Sequence, residues 1–208
     1  MNSATKIIFC AAALLGASHV FSDTTTYIPP NQIYYESEES NSDTSTNVDR
    51  VQSPDNNWIA FVKKGHRIIP TICAEFANTG SKYGNEIWIY NLKTKSKRLL
   101  VANNFSCNHP SKKIVDPKGL QFSPDGKTLY FLTSAWPTSN AIHSVNIDGK
   151  NLRFVTDGNE YHIVRSGPYR GDLIVNQHRY RFHPMGSYDW DWLFTPTGKQ
   201  IKLWQKEN

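Results

Sequence analysis

One nine-residue pattern recurs, and it limits what this chain can fold into. Ser53-Pro54-Asp55-Asn56-Asn57-Trp58-Ile59-Ala60-Phe61 resembles Ser123-Pro124-Asp125-Gly126-Lys127-Thr128-Leu129-Tyr130-Phe131. In each copy the proline fixes φ at the first corner of a tight turn, and Asn56 or Gly126 suits a left-handed corner. The strand that follows is apolar on both faces, as in Ile59-Ala60-Phe61-Val62. A strand packed between two sheets needs that pattern. A strand, a polar turn and a second strand come next in each repeat. Residues 86–100, 141–155 and 190–204 all read this way, with starts 55 and 49 residues apart. Asp148-Gly149 is a strong two-residue hairpin signal. A weaker inner pair precedes the third unit, around residues 161–164 and 172–180.

That period suits four-stranded antiparallel blades with some enlarged loops. The expected fold is all-β, an incomplete or small β-propeller-like array of about three blades over residues 51–208. FSPDGKTLYF followed by AIHSVNIDGKNLRFVTDG resembles the repeat of TolB-type β-propellers, which are bacterial periplasmic proteins. SPDNNWIAF with EIWIYNLKTKSKRLL follows the same pattern, with Asn56 in place of glycine. The resemblance covers residues 51–157 well and residues 158–208 poorly. TolB has six blades behind a separate α/β domain; only three blades are read here, with no counterpart of that domain. Three blades leave open flanks, because propellers protect their sheet edges by closing with four to eight. A strand at residues 32–35, dimerisation or an open, sandwich-like stack would each answer this.

Residues 1–22 read as a cleaved secretory signal. Lys6 precedes nine nearly pure apolar residues, too short a run for a bilayer, and Val20-Phe21-Ser22 fits a cleavage site. Cys10 lies inside the apolar run, which disfavours a lipid anchor. The protein is therefore expected to be exported, periplasmic and not membrane-spanning. Export changes the reading of the cysteines. Cys73 and Cys107 are left as a pair, and two thiols in an oxidising compartment form a disulfide. A zinc site is the rival, but neither has a Cys-x-x-Cys partner, and only Cys107 has a histidine nearby, His109.

Charge is unevenly spread. Residues 23–50 carry Asp23, Glu36, Glu38, Glu39, Asp43 and Asp49 against Arg50 alone, a net charge of −5. Residues 51–208 carry +9. Residues 37–47 lack any apolar side chain and read as a flexible acidic tether, either solvated or folded back on the basic body. The lysine clusters fall mostly at expected turns. Nucleic acid is not an expected partner of an exported chain, so that field better suits a protein or an envelope component.

The most conspicuous polar–aromatic stretch is His178-Arg179-Tyr180-Arg181-Phe182-His183. On a strand His178 and Tyr180 share one face, and Arg179 and Arg181 the other. Asp189 and Asp191 follow a short Pro-Met-Gly-Ser bend. A hairpin there is expected to set the arginines against the aspartates, as an ion-pair ladder or a pocket for an anion. HExxH, G-x-S-x-G and glycine-rich phosphate loops are absent from the sequence. The expectation is a non-enzymatic binding module, with no cofactor and no metal. Its candidate surface is Trp136, His143, Tyr169, Arg170, His178, Arg179 and Tyr180, an aromatic and basic set suited to recognition. Two alternatives remain open. One is an inhibitor or immunity protein that blocks an envelope hydrolase. The other is a hydrolase using Asp189, Asp191 or His178.

Overall fold

The computed structural model describes residues 49–71, 82–106 and 108–204. Sheet 1 holds β1 (Arg50–Gln52), β2 (Trp58–Ile68), β3 (Tyr83–Asn91) and β4 (Lys97–Val101). Sheet 2 holds β5 (Lys118–Phe122), β6 (Thr128–Trp136), β7 (Ser139–Asn146) and β8 (Arg153–Gly158). Sheet 3 holds β9 (Glu160–Ile163), β10 (Leu173–Phe182), β11 (Met185–Phe194) and β12 (Gln200–Leu203). Each sheet is an antiparallel meander in chain order. The all-β fold of three four-stranded units is as the repeats predict. One 3₁₀ turn, Pro110–Lys112, connects sheets 1 and 2.

The two copies of the Pro-Asp turn close in the same way. Ser53 Oγ donates to Asp55 Oδ1 at 2.6 Å, and the Trp58 amide donates back to Ser53 Oγ at 2.9 Å. Ser123, Asp125 and Thr128 repeat this at 2.6 and 3.0 Å. Asn56 and Gly126 take φ of 57° and 71°, the left-handed corner their identities suggest. These serine hydroxyls are the leading cause that holds both aspartates below the usual carboxylate range.

Alternation along each strand decides which sheet meets which. Leu129 and Phe131 pack toward sheet 1, with Ala60, Ile87 and Ile89. Tyr130 and Leu132 point the other way, to Leu173, Val175 and Phe194 of sheet 3. Sheet 2 is thus apolar on both faces because it lies between two others. The first strands run beside each other through the array. The Leu120 amide donates to Asp49 Oδ2 at 3.3 Å, and Tyr161 Oη donates to Gly119 O at 2.6 Å.

A basic side chain on each fourth strand occupies an equivalent register. Arg98 pairs with Ile89, Arg153 with Ser144 and Lys202 with Leu193. Arg98 donates to Ile147 O in the next sheet, and Arg153 donates to Pro196 O in the next at 2.8 Å. Among the described residues no sheet follows sheet 3, and the Lys202 ammonium lies over the rings of Tyr169 and Trp204, at 4.6 and 5.7 Å.

The lysine clusters are not all solvated turns. Lys63 and Lys64 lie within β2, and Lys113 is 1% exposed with Nζ 3.4 Å from Ala135 O. Burial lowers its pKa. The expected signal, the acidic tether up to residue 48, the strand at residues 32–35 and the Cys73–Cys107 disulfide fall outside the described residues.

Candidate functional site

β10 and β11 are the two longest strands of sheet 3, and their neighbours are short. β9 pairs only with Leu173–Asn176, and β12 pairs only with Trp192, Leu193 and Phe194. Residues 177–190 therefore continue as a two-stranded arm beyond the sheet. Six residues per strand at about 3.3 Å each carry it roughly 20 Å outward. The turn is His183-Pro184, so Phe182 pairs with Met185 and His178 with Asp189.

This register overturns the expected arginine–aspartate ladder. Paired residues share a face, and His178 opposes Asp189 while Asn176 opposes Asp191. His178 Nδ1–H donates to Asp189 Oδ1 at 2.9 Å, and Asn176 Nδ2 donates to Asp191 Oδ1 at 2.9 Å. The Tyr180 ring meets the His178 ring edge-on at 5.0 Å on the same face.

The arginines lie on the opposite face, among aromatics. The Arg179 guanidinium is 4.1 Å from the Trp192 ring centre, and Arg181 is 5.6 Å from Tyr188. Tyr188 contacts Trp190 at 4.4 Å, and Trp190 contacts Trp192 at 6.4 Å. Arg179 Nε also donates to Gln177 Oε1 at 3.0 Å, and its Nη2 to Gln200 Oε1 at 2.6 Å. This face is a stack of cations and rings, ordered by its own contacts.

The arm's tip is apolar and uncovered. Tyr180 is 62% exposed, Phe182 80% and Met185 89%. With Gly186 and Ser187 they line a shallow concavity. Met185 and Trp190 are absent from the sequence-based candidates. The length of the alternating run through both strands, relative to short β9 and β12, is the signal that would have found them.

The other candidates separate from the arm. His143 is 2% exposed, so its placement on a recognition surface does not hold in this fold. Its ring stacks on Phe131 at 5.4 Å and meets Phe154 edge-on at 6.0 Å, and its Nε2 is 3.0 Å from Thr133 Oγ1. Burial lowers its pKa to about 4. Trp136 ends β6 and meets Phe154 edge-on at 6.2 Å. Tyr169 and Arg170 lie in the loop before β10, at the end opposite the arm. Tyr169 packs on Trp204 at 6.1 Å, and Arg170 Nη2 donates to Pro124 O at 3.3 Å. The arm thus unites His178, Arg179 and Tyr180 of the seven. Among the described residues no three metal-ligating side chains cluster. No helix there is long and apolar enough to cross a membrane.

No family model and no curated protein matches this chain. Some solved structures, all β-propellers or proteins that contain one, are similar to it at low identity. TolB from Acinetobacter baumannii is 14% identical with a TM-score of 0.46, over 76% of this chain and 32% of that one. The β-propeller domain of the Trilobed protease from Pyrococcus furiosus is 16% identical with a TM-score of 0.46, over 77% and 43%. The acylaminoacyl peptidase of Pyrococcus horikoshii is 17% identical with a TM-score of 0.44, over 72% and 23%. The chain spans about a third of the length of the TolB chain.

Proposed function

We propose that this chain is a non-enzymatic binding module of the bacterial periplasm, which recognises a protein or envelope component through the β10–β11 arm. The observation that carries this reading is the arm's tip. Phe182 and Met185, two large apolar side chains, are almost fully in water at the end of a projecting ribbon. Apolar side chains concentrated on an exposed feature mark interaction sites, and aromatic anchors contribute most to binding there. The base of the arm is held by Arg179, Trp192 and Gln200, so its pose is set before a partner arrives. Pre-organisation of this kind reduces the ordering cost of association. The reading of residues 1–22 as an export signal, and the likeness of the repeats to TolB-type blades, support the compartment.

The test is capture from periplasmic and outer-membrane extract by the immobilised full chain. Its comparison is the double variant Phe182→Ser, Met185→Ser. At least one captured component is expected to fall tenfold or more with the variant. An identical captured set from both proteins sinks the assignment of the tip.

A second reading has its own support. A narrow arm about 20 Å long suits insertion into a cleft, as an inhibitor of an envelope hydrolase would require. Deleting the gene should then sensitise cells to that hydrolase, and tip variants should fail to restore protection. Unchanged sensitivity in the deletion strain would remove this alternative.

A further inference from the structure

The two faces of the arm differ in charge. Strand alternation puts Gln177, Arg179 and Arg181 of β10 on one face with Gly186, Tyr188 and Trp190 of β11. Asp189 and Asp191, the acids of β11, lie on the other face, opposite His178 and Asn176. Phe182 and Met185 of the tip share that second face. At the base, Val175 and Trp192 pack the first face against sheet 2. Asp157 of β8 reaches it there, and its Oδ1 accepts from Gln177 Nε2 at 3.1 Å. From the Gln177–Trp190 pair outward, the first face carries guanidiniums and rings but no carboxylate and no aliphatic residue.

Arg181 is the exposed cation of this face. Its guanidinium lies 5.6 Å from the Tyr188 ring centre and forms no hydrogen bond among the described residues. Gly186 opposes it, and a Cβ built there would meet nothing within 4 Å, so the space beside the guanidinium is open. Trp190 is 45% exposed. The rings of Tyr188, Trp190 and Trp192 follow one another down β11, their centres 4.4 and 6.4 Å apart. Arg179 is already tied to Gln177, Gln200 and Trp192, so it holds the rings in place.

We infer that this face binds an acidic polysaccharide, with a uronate carboxylate on Arg181 and sugar rings on Tyr188 and Trp190. A guanidinium fork takes a carboxylate through two parallel hydrogen bonds. The negative face of an aromatic ring attracts the polarised C–H groups of a sugar ring. The +9 carried by residues 51–208 draws an anion toward the same body. The inference rests on the reading of the arm as the binding element, and it names the chemistry of one envelope component. Single-stranded nucleic acid also combines planar rings with negative charge. A base slotted between two aromatic side chains needs about 7 Å, twice the ordinary contact distance. The ring centres of the arm are closer than that, so no slot is open between them. An exported chain, as residues 1–22 are read, meets acidic glycans rather than nucleic acid.

Titration calorimetry on the full chain tests this with matched probes. Hexagalacturonate has both sugar rings and carboxylates. Maltohexaose keeps the rings without charge, hexaglutamate keeps the charge without rings, and hexathymidylate is the nucleic acid. Hexagalacturonate is expected to bind at least tenfold tighter than each of the others. A smaller margin over any of them overturns the inference, and so does no binding of hexagalacturonate at all. Arg181→Ala and Trp190→Ala should each weaken binding roughly tenfold, the loss of one charged hydrogen-bonded contact or one stacked ring. Both side chains are exposed, so the fold should tolerate either change. Arg181→Gln, which keeps a hydrogen-bonding side chain without the charge, repeats the test. Unchanged binding in the arginine variants or in Trp190→Ala overturns the inference. Capture by wild type and the tip variant reads the arm separately. If tip-dependent capture holds while hexagalacturonate does not bind, this inference falls and the reading of the arm stands.

Discussion

The guanidinium of Arg179 lies 4.1 Å from the centre of the Trp192 ring, and the same group donates to Gln200 across the sheet. One side chain on β10 therefore clamps β12 over β11 and sets the base of the arm. Cation–π contact and charged hydrogen bonds act together here. Arg179→Ala is expected to cost about 1–2 kcal/mol. Arg179→Lys should recover less than half of that, because an ammonium lacks the planar fork that reaches Gln177 and Gln200 together. Urea unfolding of the three proteins measures this. Full recovery by lysine would show that charge alone matters.

The arm's tip should behave in the opposite way. Phe182 and Met185 contribute nothing to the cores between the sheets. Phe182→Ser with Met185→Ser is expected to change stability by no more than about 0.5 kcal/mol. Thermal unfolding at matched concentration checks it. A clear loss of stability would place these side chains in the fold rather than at a binding surface.

Two glycines separate backbone cost from packing cost. Gly167 has φ +76° and nothing within 4 Å of a built Cβ. Gly198 has φ +88°, and a Cβ there would collide with the Val155 carbonyl oxygen. Gly167→Ala should cost about 1 kcal/mol for the left-handed backbone alone. Gly198→Ala should cost at least twice as much, because the β11–β12 turn must then move off β8. Equal denaturation midpoints for the two variants would contradict this docking of sheet 3 on sheet 2.

The fold was legible because its signals are local. Ser53-Pro54-Asp55 and Ser123-Pro124-Asp125 encode their turns within four residues, and the strands after them declare their burial by being apolar on both faces. The faces of the arm were harder to read, because a partner's face depends on register, and register depends on the turn. A bend assigned to Pro-Met-Gly-Ser sets other pairings than the two-residue turn at His183-Pro184. The shorter turn places His178 opposite Asp189 and leaves the arginines to the aromatics. His143 was misplaced for a related reason. A histidine in an alternating strand looks the same in sequence whether its face meets solvent or another sheet. Here that face belongs to the middle sheet, which has no solvent side.

That burial gives His143 a measurable effect on pH dependence. Thr133 Oγ1 donates to Lys113 O at 3.1 Å, so the neutral ring donates its Nε2–H to the threonine oxygen. Protonation would place a charge between Phe131 and Phe154. The folded pKa is about 4, whereas an unfolded histidine titrates near ~6.5. Between these values the unfolded chain binds more protons than the fold, so stability falls as the solution is acidified through that window. The full effect is about 3 kcal/mol. Burial raises the carboxyls of Glu86, Asp116 and Asp172, which acts in the opposite sense, so the decisive quantity is a difference between proteins. His143→Phe keeps a ring between Phe131 and Phe154 but cannot titrate. Wild type should lose stability relative to this variant from pH 6.5 down to 4, with parallel curves above pH 7. Urea midpoints at pH 7.5, 5.5 and 4.5 provide the measurement. Curves that stay parallel throughout would mean that His143 is hydrated and titrates alike in both states.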